Sequence, residues 1–159
     1  MTKTLVAYFS ASGTTGRVAA NLASAIGADL YEIISEVPYS SADLNWNNKG
    51  SRSSLEMNDD VARPALAGDV PNTSAYDVVF VGFPIWWYVE PRVVDTFLES
   101  ADLAGKTVVP FATSGGSGVG RAVSRIRSIA SGANVVEGDL LNGRPSQAKL
   151  ATWAKGVLR

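Results

Sequence analysis

The sequence predicts an α/β fold, a doubly wound three-layer sandwich in which a parallel sheet lies between two layers of helices. Short apolar runs alternate with longer stretches of helical periodicity, which is the pattern of repeated strand–helix units. The runs lack polar alternation, as is typical of strands buried on both faces of a parallel sheet. The 159 residues suffice for five such strands, and we expect a single domain over residues 1–159.

The first strand is predicted at Thr4–Phe9, where β-branched and aromatic residues follow one another. A helix is predicted over residues 14–27, because apolar residues recur at helical spacing over Val18–Ile26 and Gly27 is a typical C-terminal stop. The second strand is predicted at Leu30–Ile34, which completes the first strand–helix–strand unit.

The middle of the chain predicts two further strands, each followed by a helix. The third strand is Asp77–Gly82 and the fourth is Lys106–Ala112. After the third strand, Pro91 suits the first position of a helix that extends to about Ala101. After the fourth strand, apolar residues recur at helical spacing over Val119–Ala130.

The last part of the chain predicts a weaker fifth strand at Asn134–Leu140 and a final helix. Ser146 is suited to cap that helix, because its hydroxyl can accept a hydrogen bond from a backbone N–H of the first turn. The residues expected to face the core from this helix are Leu150, Trp153 and Val157.

The segment Pro38–Ser74 interrupts the alternation with 37 residues that are rich in Ser, Asn and Asp. Within it, Ser51–Asn58 can form a short helix. The segment is either a tolerated surface insertion or a functional loop, since structureless loops of this length are unusual in a domain. Because it starts at the carboxyl end of the second strand and contains Trp46, we expect it to form one wall of a ligand site.

Composition excludes several classes of function. Cys and His are both absent, so the chain cannot form a thiol nucleophile, a Ser-His-Asp triad, a zinc finger or an iron–sulfur cluster. We nominate no catalytic side chain and no metal ligand. The net charge of −1 argues against a nucleic-acid binder, and no apolar run is long enough for a membrane helix. The absence of Cys favours a cytoplasmic location.

In a doubly wound fold, ligands bind beyond the carboxyl ends of the strands, so the loops after the first, third and fourth strands are the candidate sites. The first loop, Ser10–Gly16, has four hydroxyl side chains and leads into a helix N-terminus, where N–H groups and the helix dipole favour an anion. The dense hydroxyls, without Lys or Arg, suit a terminal monophosphate. Ordinary helix capping is the alternative, although one Ser or Thr would suffice for it.

Two other phosphate-binding motifs fit this loop less well. A P-loop requires a Lys after its last Gly, and none follows Gly16. The dinucleotide-binding fingerprint matches in part, with Gly13 and Gly16 in place, Ala11 in the first position and Glu36 located 20 residues beyond Gly16. A nicotinamide-dinucleotide-binding domain is therefore an alternative, which the two later loops disfavour.

The second loop, Gly82–Pro91, contains Trp86, Trp87 and Tyr88 in succession. At least one of the three should be exposed unless a planar ligand stacks on it, and packing against the following helix is the alternative. The third loop, Thr113–Gly120, has four Gly in eight residues. These let backbone N–H groups approach a ligand closely, although a flexible turn would have the same composition.

A monophosphate, a planar ring and donors for the edge of that ring together describe flavin mononucleotide (FMN). The chain resembles the short-chain flavodoxin family over nearly its whole length. The residues that resemble the family's motifs are Ser10-x-Ser12-Gly13-x-Thr15, Pro84-Ile85-Trp86-Trp87, Thr113–Gly118, and Ser51–Asp59 with Ala62-Arg63-Pro64. The resemblance implies a five-stranded parallel sheet of order 2-1-3-4-5 and non-covalently bound FMN.

The resemblance also implies which residues bind the cofactor. The phosphate would be held by Ser10, Ser12, Gly13, Thr14 and Thr15. Flavodoxins usually have Asn at the position of Thr14. The isoalloxazine would be flanked by Pro84, Ile85, Trp86 and Trp87 from one loop and by Thr113, Ser114, Gly115, Gly116 and Gly118 from the other.

Two functions follow from the resemblance, and both use the redox chemistry of the flavin. An electron carrier would pass electrons between redox partner proteins and needs an exposed flavin edge. An NAD(P)H-dependent reductase of a quinone or similar small acceptor needs a pocket above the flavin. The family favours the carrier. Carrier flavodoxins are typically strongly acidic, whereas this chain has a net charge of −1, so its charge and its long segment favour the pocket.

Overall fold

Six short strands form one parallel sheet in the computed structural model, which describes residues 3–158. The strand order is β2-β1-β3-β4-β5, so the predicted order 2-1-3-4-5 is confirmed, and β6 lies beside β4 beyond the end of β5. All of these strand pairs are parallel. The strands are β1 (Thr4–Tyr8), β2 (Asp29–Glu32), β3 (Val78–Pro84), β4 (Thr107–Thr113), β5 (Asn134–Val135) and β6 (Asp139–Leu140).

Helices cover both faces of the sheet, as a doubly wound fold requires. The helices are α1 (Thr14–Ile26), α2 (Arg52–Met57), α3 (Arg92–Ser100), α4 (Gly120–Ile129) and α5 (Gln147–Val157), and a 3₁₀ turn spans Thr73–Ala75. On one face, α1 and α5 pack on Val6 and Phe80. On the other face, α3 and α4 pack on Val79 and Val81. Within residues 3–158, none of the helices has the length and apolar composition that crossing a membrane requires.

The second strand differs from its prediction. It spans Asp29–Glu32 instead of Leu30–Ile34, and most of its residues are exposed because β2 is an edge strand of the sheet. Burial on both faces is therefore a property of the inner strands. Ile33, which follows β2, is buried, and its N–H donates to the carbonyl of Tyr8.

The predicted fifth strand, Asn134–Leu140, forms two separate strands instead of one. The carbonyl of Val108 in β4 accepts a hydrogen bond from the N–H of Val136 at 3.0 Å. Pro110 is the next residue of β4 on the same side and has no N–H, so the ladder of hydrogen bonds is interrupted there. The pairing with β4 resumes in β6, beyond the proline.

The helix ends follow the signals in the sequence. Gly27 terminates α1 in the left-handed conformation, with φ 67°. Ser146 caps α5, and its Oγ accepts a hydrogen bond from the N–H of Lys149 at 3.2 Å. Pro91 immediately precedes α3 as its N-cap residue, one position before the predicted one.

The segment Pro38–Ser74 is tied to the rest of the protein by side-chain contacts. It contains α2, which lies inside the predicted Ser51–Asn58 and has Ser51 as its N-cap. Arg92, buried at the start of α3, donates to the carbonyls of Met57 and Asp59, both at 3.0 Å. A core helix therefore fixes the middle of the segment.

Candidate functional site

The loops after β1, β3 and β4 lie together at the carboxyl edge of the sheet, because these three parallel strands are neighbours. Thr15 at the start of α1 and Thr113 at the end of β4 join their hydroxyls at 2.8 Å. Ile85, which follows β3, donates its N–H to the carbonyl of Thr113 at 3.0 Å. The three predicted loops therefore meet around Thr113.

The hydroxyl loop (Ser10–Gly16) presents backbone N–H groups at the start of α1. Gly13 has φ 93°, a left-handed conformation that favours Gly, and its N–H donates to Ser10 Oγ at 3.1 Å. The first helical hydrogen bond joins the N–H of Arg17 to the carbonyl of Gly13 at 3.1 Å. The N–H groups of residues 14–16 precede the helical ladder, and together with the helix dipole they favour a bound anion.

The four hydroxyls of this loop differ in their surroundings. Ser12 and Thr14 are exposed, with their hydroxyl oxygens 3.4 Å apart. Ser10 accepts a hydrogen bond within the loop. Thr15 is only 1% exposed, and its hydroxyl is hydrogen-bonded to that of Thr113. Two hydroxyls are therefore positioned for a ligand, and the other two hold the loop in shape.

The aromatic turn (Trp86–Val89) is a tight hairpin. Trp86 and Val89 exchange backbone hydrogen bonds of 2.9 and 3.1 Å. The two residues between them, Trp87 and Tyr88, have φ 47° and φ 72°, which residues other than glycine rarely adopt. Such strained backbone conformations concentrate at functional sites. The turn leaves Trp87 40% exposed and Tyr88 56% exposed.

Trp86 and Trp87 have different roles in packing. The Trp86 ring contacts the rings of Phe9 and Tyr39 edge to face, with centroid distances of 5.7 and 5.5 Å. Burial and a hydrogen bond donated to Glu56 raise the pKa of Tyr39, so its hydroxyl stays protonated and holds this cluster together. Trp86 is thus a packed residue, and Trp87 is the tryptophan of this turn with the larger exposed face.

Three glycines of the glycine loop (Thr113–Gly120) are not required by the packing of the protein. A Cβ added at Gly115, Gly116 or Gly118 would meet no heavy atom within 4 Å, and none of the three has a left-handed φ. Gly82 contrasts with them, because a Cβ there would lie 2.2 Å from the ring of a core phenylalanine. Glycine at the three loop positions leaves space in which a ligand can approach the backbone.

Asn142 fixes the glycine loop, although the only sequence signal at this position is that of an ordinary turn before a proline. Its Oδ1 accepts from the N–H of Ser114, and its Nδ2 donates to the carbonyl of Ser114, both at 2.9 Å. Ser114 Oγ in turn accepts from the N–H groups of Gly116 and Ser117 at 3.1 and 2.8 Å. One asparagine therefore holds the shape of the whole turn.

A pocket of about 570 Å³ opens between the aromatic turn, the glycine loop and the long segment. The predicted site residues on its wall are Ile85, Trp86, Trp87, Ser114, Gly115 and Gly116. The wall residues that were not predicted as site residues are Leu44, Trp46, Ser53, Tyr88 and Ser117. Pro84, Thr113, Gly118 and the hydroxyl loop are not on this wall.

The long segment forms one side of this pocket through Leu44, Trp46 and Ser53. Its role as a wall of the ligand site stays a prediction. Trp46 is 70% exposed, which is unusual for a tryptophan that has only the protein to pack on. Sequence periodicity could not identify Leu44 and Ser53, because their positions depend on the tertiary contacts that fold the segment back.

The pocket has the volume and apolar character of a small-molecule site, since such sites span about 300–1,000 Å³. Its lining includes three aromatic side chains from the turn and, among residues 3–158, no charged residue. A family model described as Flavodoxin matches residues 3–157. The chain belongs to the flavodoxin family. The donors of the hydroxyl loop suit a phosphate, and the exposed aromatic face suits a planar ring, so the residues of this member fit a flavin nucleotide.

Solved structures of flavoproteins are similar to this flavodoxin-family chain. A protein from Bacteroides eggerthii, provisionally named a flavoprotein, is 50% identical, with 100% of this chain and 99% of that chain covered and a TM-score of 0.94. A similarly named protein from Bacteroides uniformis is 48% identical over 97% of this chain and 98% of that one, with a TM-score of 0.92.

A more distant solved structure shares the fold. It is a flavoprotein from Lactobacillus acidophilus in complex with FMN, which is 24% identical over 97% of this chain and 99% of that one, with a TM-score of 0.75. Comparison with curated proteins finds no match.

Proposed function

We propose that the chain binds FMN non-covalently and uses it to reduce a small planar acceptor, such as a quinone, with NAD(P)H as the reductant. The pocket walled by the long segment is the observation that supports an enzyme most directly. Leu44 and Trp46 face the aromatic turn across a space of about 570 Å³. The isoalloxazine would occupy part of this space, and the long segment would wall the part in which a small substrate meets the ring. A protein that only exchanges electrons at an exposed flavin edge does not need such a wall.

The cofactor assignment follows from the chemistry of the loops. The exposed hydroxyls of Ser12 and Thr14 and the N–H groups of residues 14–16 would hold the FMN phosphate. Trp87 would stack on the isoalloxazine, and the backbone at Gly115 and Gly116 would approach the edge of that ring. When bound, the flavin supplies the redox chemistry, and the protein binds, orients and shields it.

The charge around the pocket supports a small-molecule acceptor. None of the residues that line the pocket is Asp or Glu. A cation lies against the turn, because the Arg121 guanidinium is 5.1 Å from the centroid of the Tyr88 ring. An acidic docking rim of the kind that steers carriers to basic partners is not formed by these residues.

An electron carrier is the second candidate, and the exposure of the aromatic residues favours it. Trp46, Trp87 and Tyr88 are 70%, 40% and 56% exposed and all line the pocket. Exposed apolar surface of this kind is typical of protein docking sites. In this case the aromatic rim would contact a redox partner protein, and the flavin edge would lie between them.

Two measurements test the proposal in order. The visible spectrum of the purified protein shows whether a flavin is bound. If the protein shows no absorption of bound flavin even after reconstitution with FMN, the cofactor assignment is contradicted. Anaerobic mixing of the FMN-loaded protein with NADPH then separates the candidates. Rapid bleaching of the flavin absorption followed by reoxidation with a quinone supports the enzyme. Bleaching only when a flavin-reducing protein is added supports the carrier.

A further inference from the structure

A second pocket, of about 260 Å³, adjoins the hydroxyl loop and shares Thr14 with it. Its walls come from the first turns of α1 and from the turn between β6 and α5. Two arginines, Arg17 and Arg144, lie on opposite segments of the chain and both line it, so it is named the arginine pocket. Asn21 and Asn142 are further polar wall residues.

The positive charge of this pocket is not neutralised by the described part of the chain. No Asp or Glu lines it, and within residues 3–158 neither Arg17 nor Arg144 forms an ion pair. Four other arginines each have a carboxylate partner, namely Arg52, Arg63, Arg92 and Arg125. Two cations that share a pocket repel each other, and a bound anion would offset that repulsion.

The turn that carries Arg144 is strained and rigidly held. Gly143 has φ 80° and Arg144 has φ 52°, a left-handed conformation that is unfavourable for any residue with a Cβ. Asn142, directly before them, is fixed by its two hydrogen bonds of 2.9 Å to Ser114. Strain retained in a fixed turn is characteristic of positions with a binding role.

We propose that the arginine pocket binds a second phosphate group, distinct from the one assigned to the hydroxyl loop. Guanidinium groups are the preferred partners of phosphate oxygens, and the amide of Asn21 adds a neutral donor. At about 260 Å³ the pocket is smaller than a site for a whole nucleotide, so it takes only a phosphate group of a larger ligand.

Two ligands could supply that phosphate. The first is FAD, whose adenylate phosphate would lie in the arginine pocket, next to the phosphate that the hydroxyl loop would hold, because the arginine pocket shares Thr14 with that loop. The second is a separate nucleotide with a terminal phosphate, such as the reductant NADPH. The assignment of the first phosphate to the hydroxyl loop rests on the proposed function, whereas the arginine pocket is tested by its own residues.

The test is a titration of the FMN-loaded protein with inorganic phosphate, followed by calorimetry and by the NMR shifts of backbone amides. FMN occupies the hydroxyl loop in this sample, so phosphate is left with the second site. We expect the amides of Asn142 and Gly143 to shift. Arg144→Ala and Arg17→Ala should each raise the phosphate Kd at least about tenfold, as expected for loss of a charge-assisted hydrogen bond. The control Lys155→Ala, an exposed charge on the last turn of α5, should leave the Kd unchanged.

Any of three results would overturn the proposal. Phosphate binds without a shift of the Gly143 amide signal, phosphate does not bind at all, or the phosphate Kd is the same for the wild type and Arg144→Ala. If the protein retains no FMN, the proposed function fails. The same titration of the FMN-free protein still tests phosphate binding in the arginine pocket, because the amide shift of Gly143 and the Kd of the Arg144→Ala variant respond to that pocket and not to the hydroxyl loop.

Two further arms distinguish the sources of the phosphate. If the ligand is FAD, the FMN-free protein binds FAD at least as tightly as FMN, and Arg144→Ala lowers only the affinity for FAD. If the ligand is a separate nucleotide, 2′,5′-ADP binds the FMN-loaded protein, and Arg144→Ala weakens it at least about tenfold. If Arg144→Ala changes the Kd of neither FAD nor 2′,5′-ADP, the proposal is contradicted.

Discussion

The hydroxyls of Thr15 and Thr113 lie 2.8 Å apart, although 98 residues separate them in the sequence. Both side chains are buried, with exposed fractions of 1% and 6%. The pair joins the first turn of α1 to the end of β4, so it connects the hydroxyl loop to the glycine loop. A ligand that contacts both loops would therefore bridge two elements that this hydrogen bond joins.

Thr113→Val is expected to lower the free energy of unfolding of the FMN-free protein by about 1–3 kcal/mol, because it leaves the buried hydroxyl of Thr15 unpaired. The double variant Thr15→Val/Thr113→Val should lose less than the sum of the single losses, since it removes both polar groups. Urea unfolding measures all three variants, with the exposed Thr152→Val as a control. Additive losses would show that the hydrogen bond does not couple the loops.

Ser12→Ala is expected to weaken FMN binding by about one to two decades, because a hydrogen bond to a charged phosphate contributes roughly 1.5–3 kcal/mol. Ser12 is exposed and makes no buried contact, so the variant should fold as well as the wild type. Riboflavin, which lacks the phosphate, should bind far more weakly than FMN to the wild type and be indifferent to the substitution. Equal affinities for FMN and riboflavin would contradict the phosphate assignment.

Local sequence signals predicted the fold well, because the inner strands and amphipathic helices are specified by periodicity and by residues such as Gly27 and Ser146. The split of the last strand required knowing that Pro110 would lie beside Gly138, in the middle of that strand. No single-sequence pattern reveals which residue of a neighbouring strand a proline will oppose.

The candidate site was predicted as three loops, and those loops do meet at one edge. The sequence could not show that Trp86 is packed against Phe9 while Trp87 is exposed, because the two are identical residues next to each other in one loop. It also gave no indication of Asn142, whose function depends on a contact across 28 residues with Ser114. Contacts between distant segments are what the sequence leaves undetermined.

Trp87→Ala is expected to relieve the quenching of FMN fluorescence and to weaken FMN, with a change in unfolding free energy of the FMN-free protein below about 1 kcal/mol. Trp87 is 40% exposed, and it is Trp86, not Trp87, that packs on the rings of Phe9 and Tyr39. Trp86→Ala should instead destabilise the protein by about 2–4 kcal/mol, because it opens a cavity against Phe9 and Tyr39. If both variants keep full quenching, neither tryptophan stacks on the flavin.

Trp46→Ala is expected to broaden the choice of acceptors toward bulky quinones while leaving FMN affinity and stability close to those of the wild type. The reason is that Trp46 lines the pocket but is 70% exposed. Rates with a small and a bulky quinone measure the effect, and Leu55→Ala, an exposed residue outside the pocket lining, is the control. An unchanged preference would favour the carrier.

A deletion of residues 41–60 is a less suitable test of the same wall. It would remove α2 and the carbonyls of Met57 and Asp59, to which the buried Arg92 donates. Loss of those acceptors leaves buried donors of Arg92 unpaired and destabilises the protein for reasons unrelated to the pocket. The point variant at Trp46 avoids that loss.

A buried charge cluster behind the aromatic turn has its own dependence on pH. Glu90 and Asp95 are both fully buried, and Arg125 lies 3.3 Å from Glu90 Oε2 and 3.0 Å from Asp95 Oδ2. Arg92 lies 3.7 Å from the same oxygen of Asp95. Burial, followed by a hydrogen bond with Asp95 and the charge of that residue, raises the pKa of Glu90 from 4.5 to about 9. Glu90 is therefore protonated in the folded protein at neutral pH.

Glu90→Gln is expected to flatten the pH dependence of stability between about pH 5 and pH 9. The folded protein binds a proton at Glu90 that the unfolded chain has released, so the contribution of Glu90 to stability is fully present below the ordinary pKa of 4.5 and is lost as the pH rises toward 9. Each pH unit in that window removes up to about 1.4 kcal/mol. The chain has no His or Cys, so few other side chains titrate there. Urea unfolding at several pH values measures the slope, with the exposed Glu137→Gln as the control. A slope equal to that of the wild type would show that Glu90 does not bind the proton.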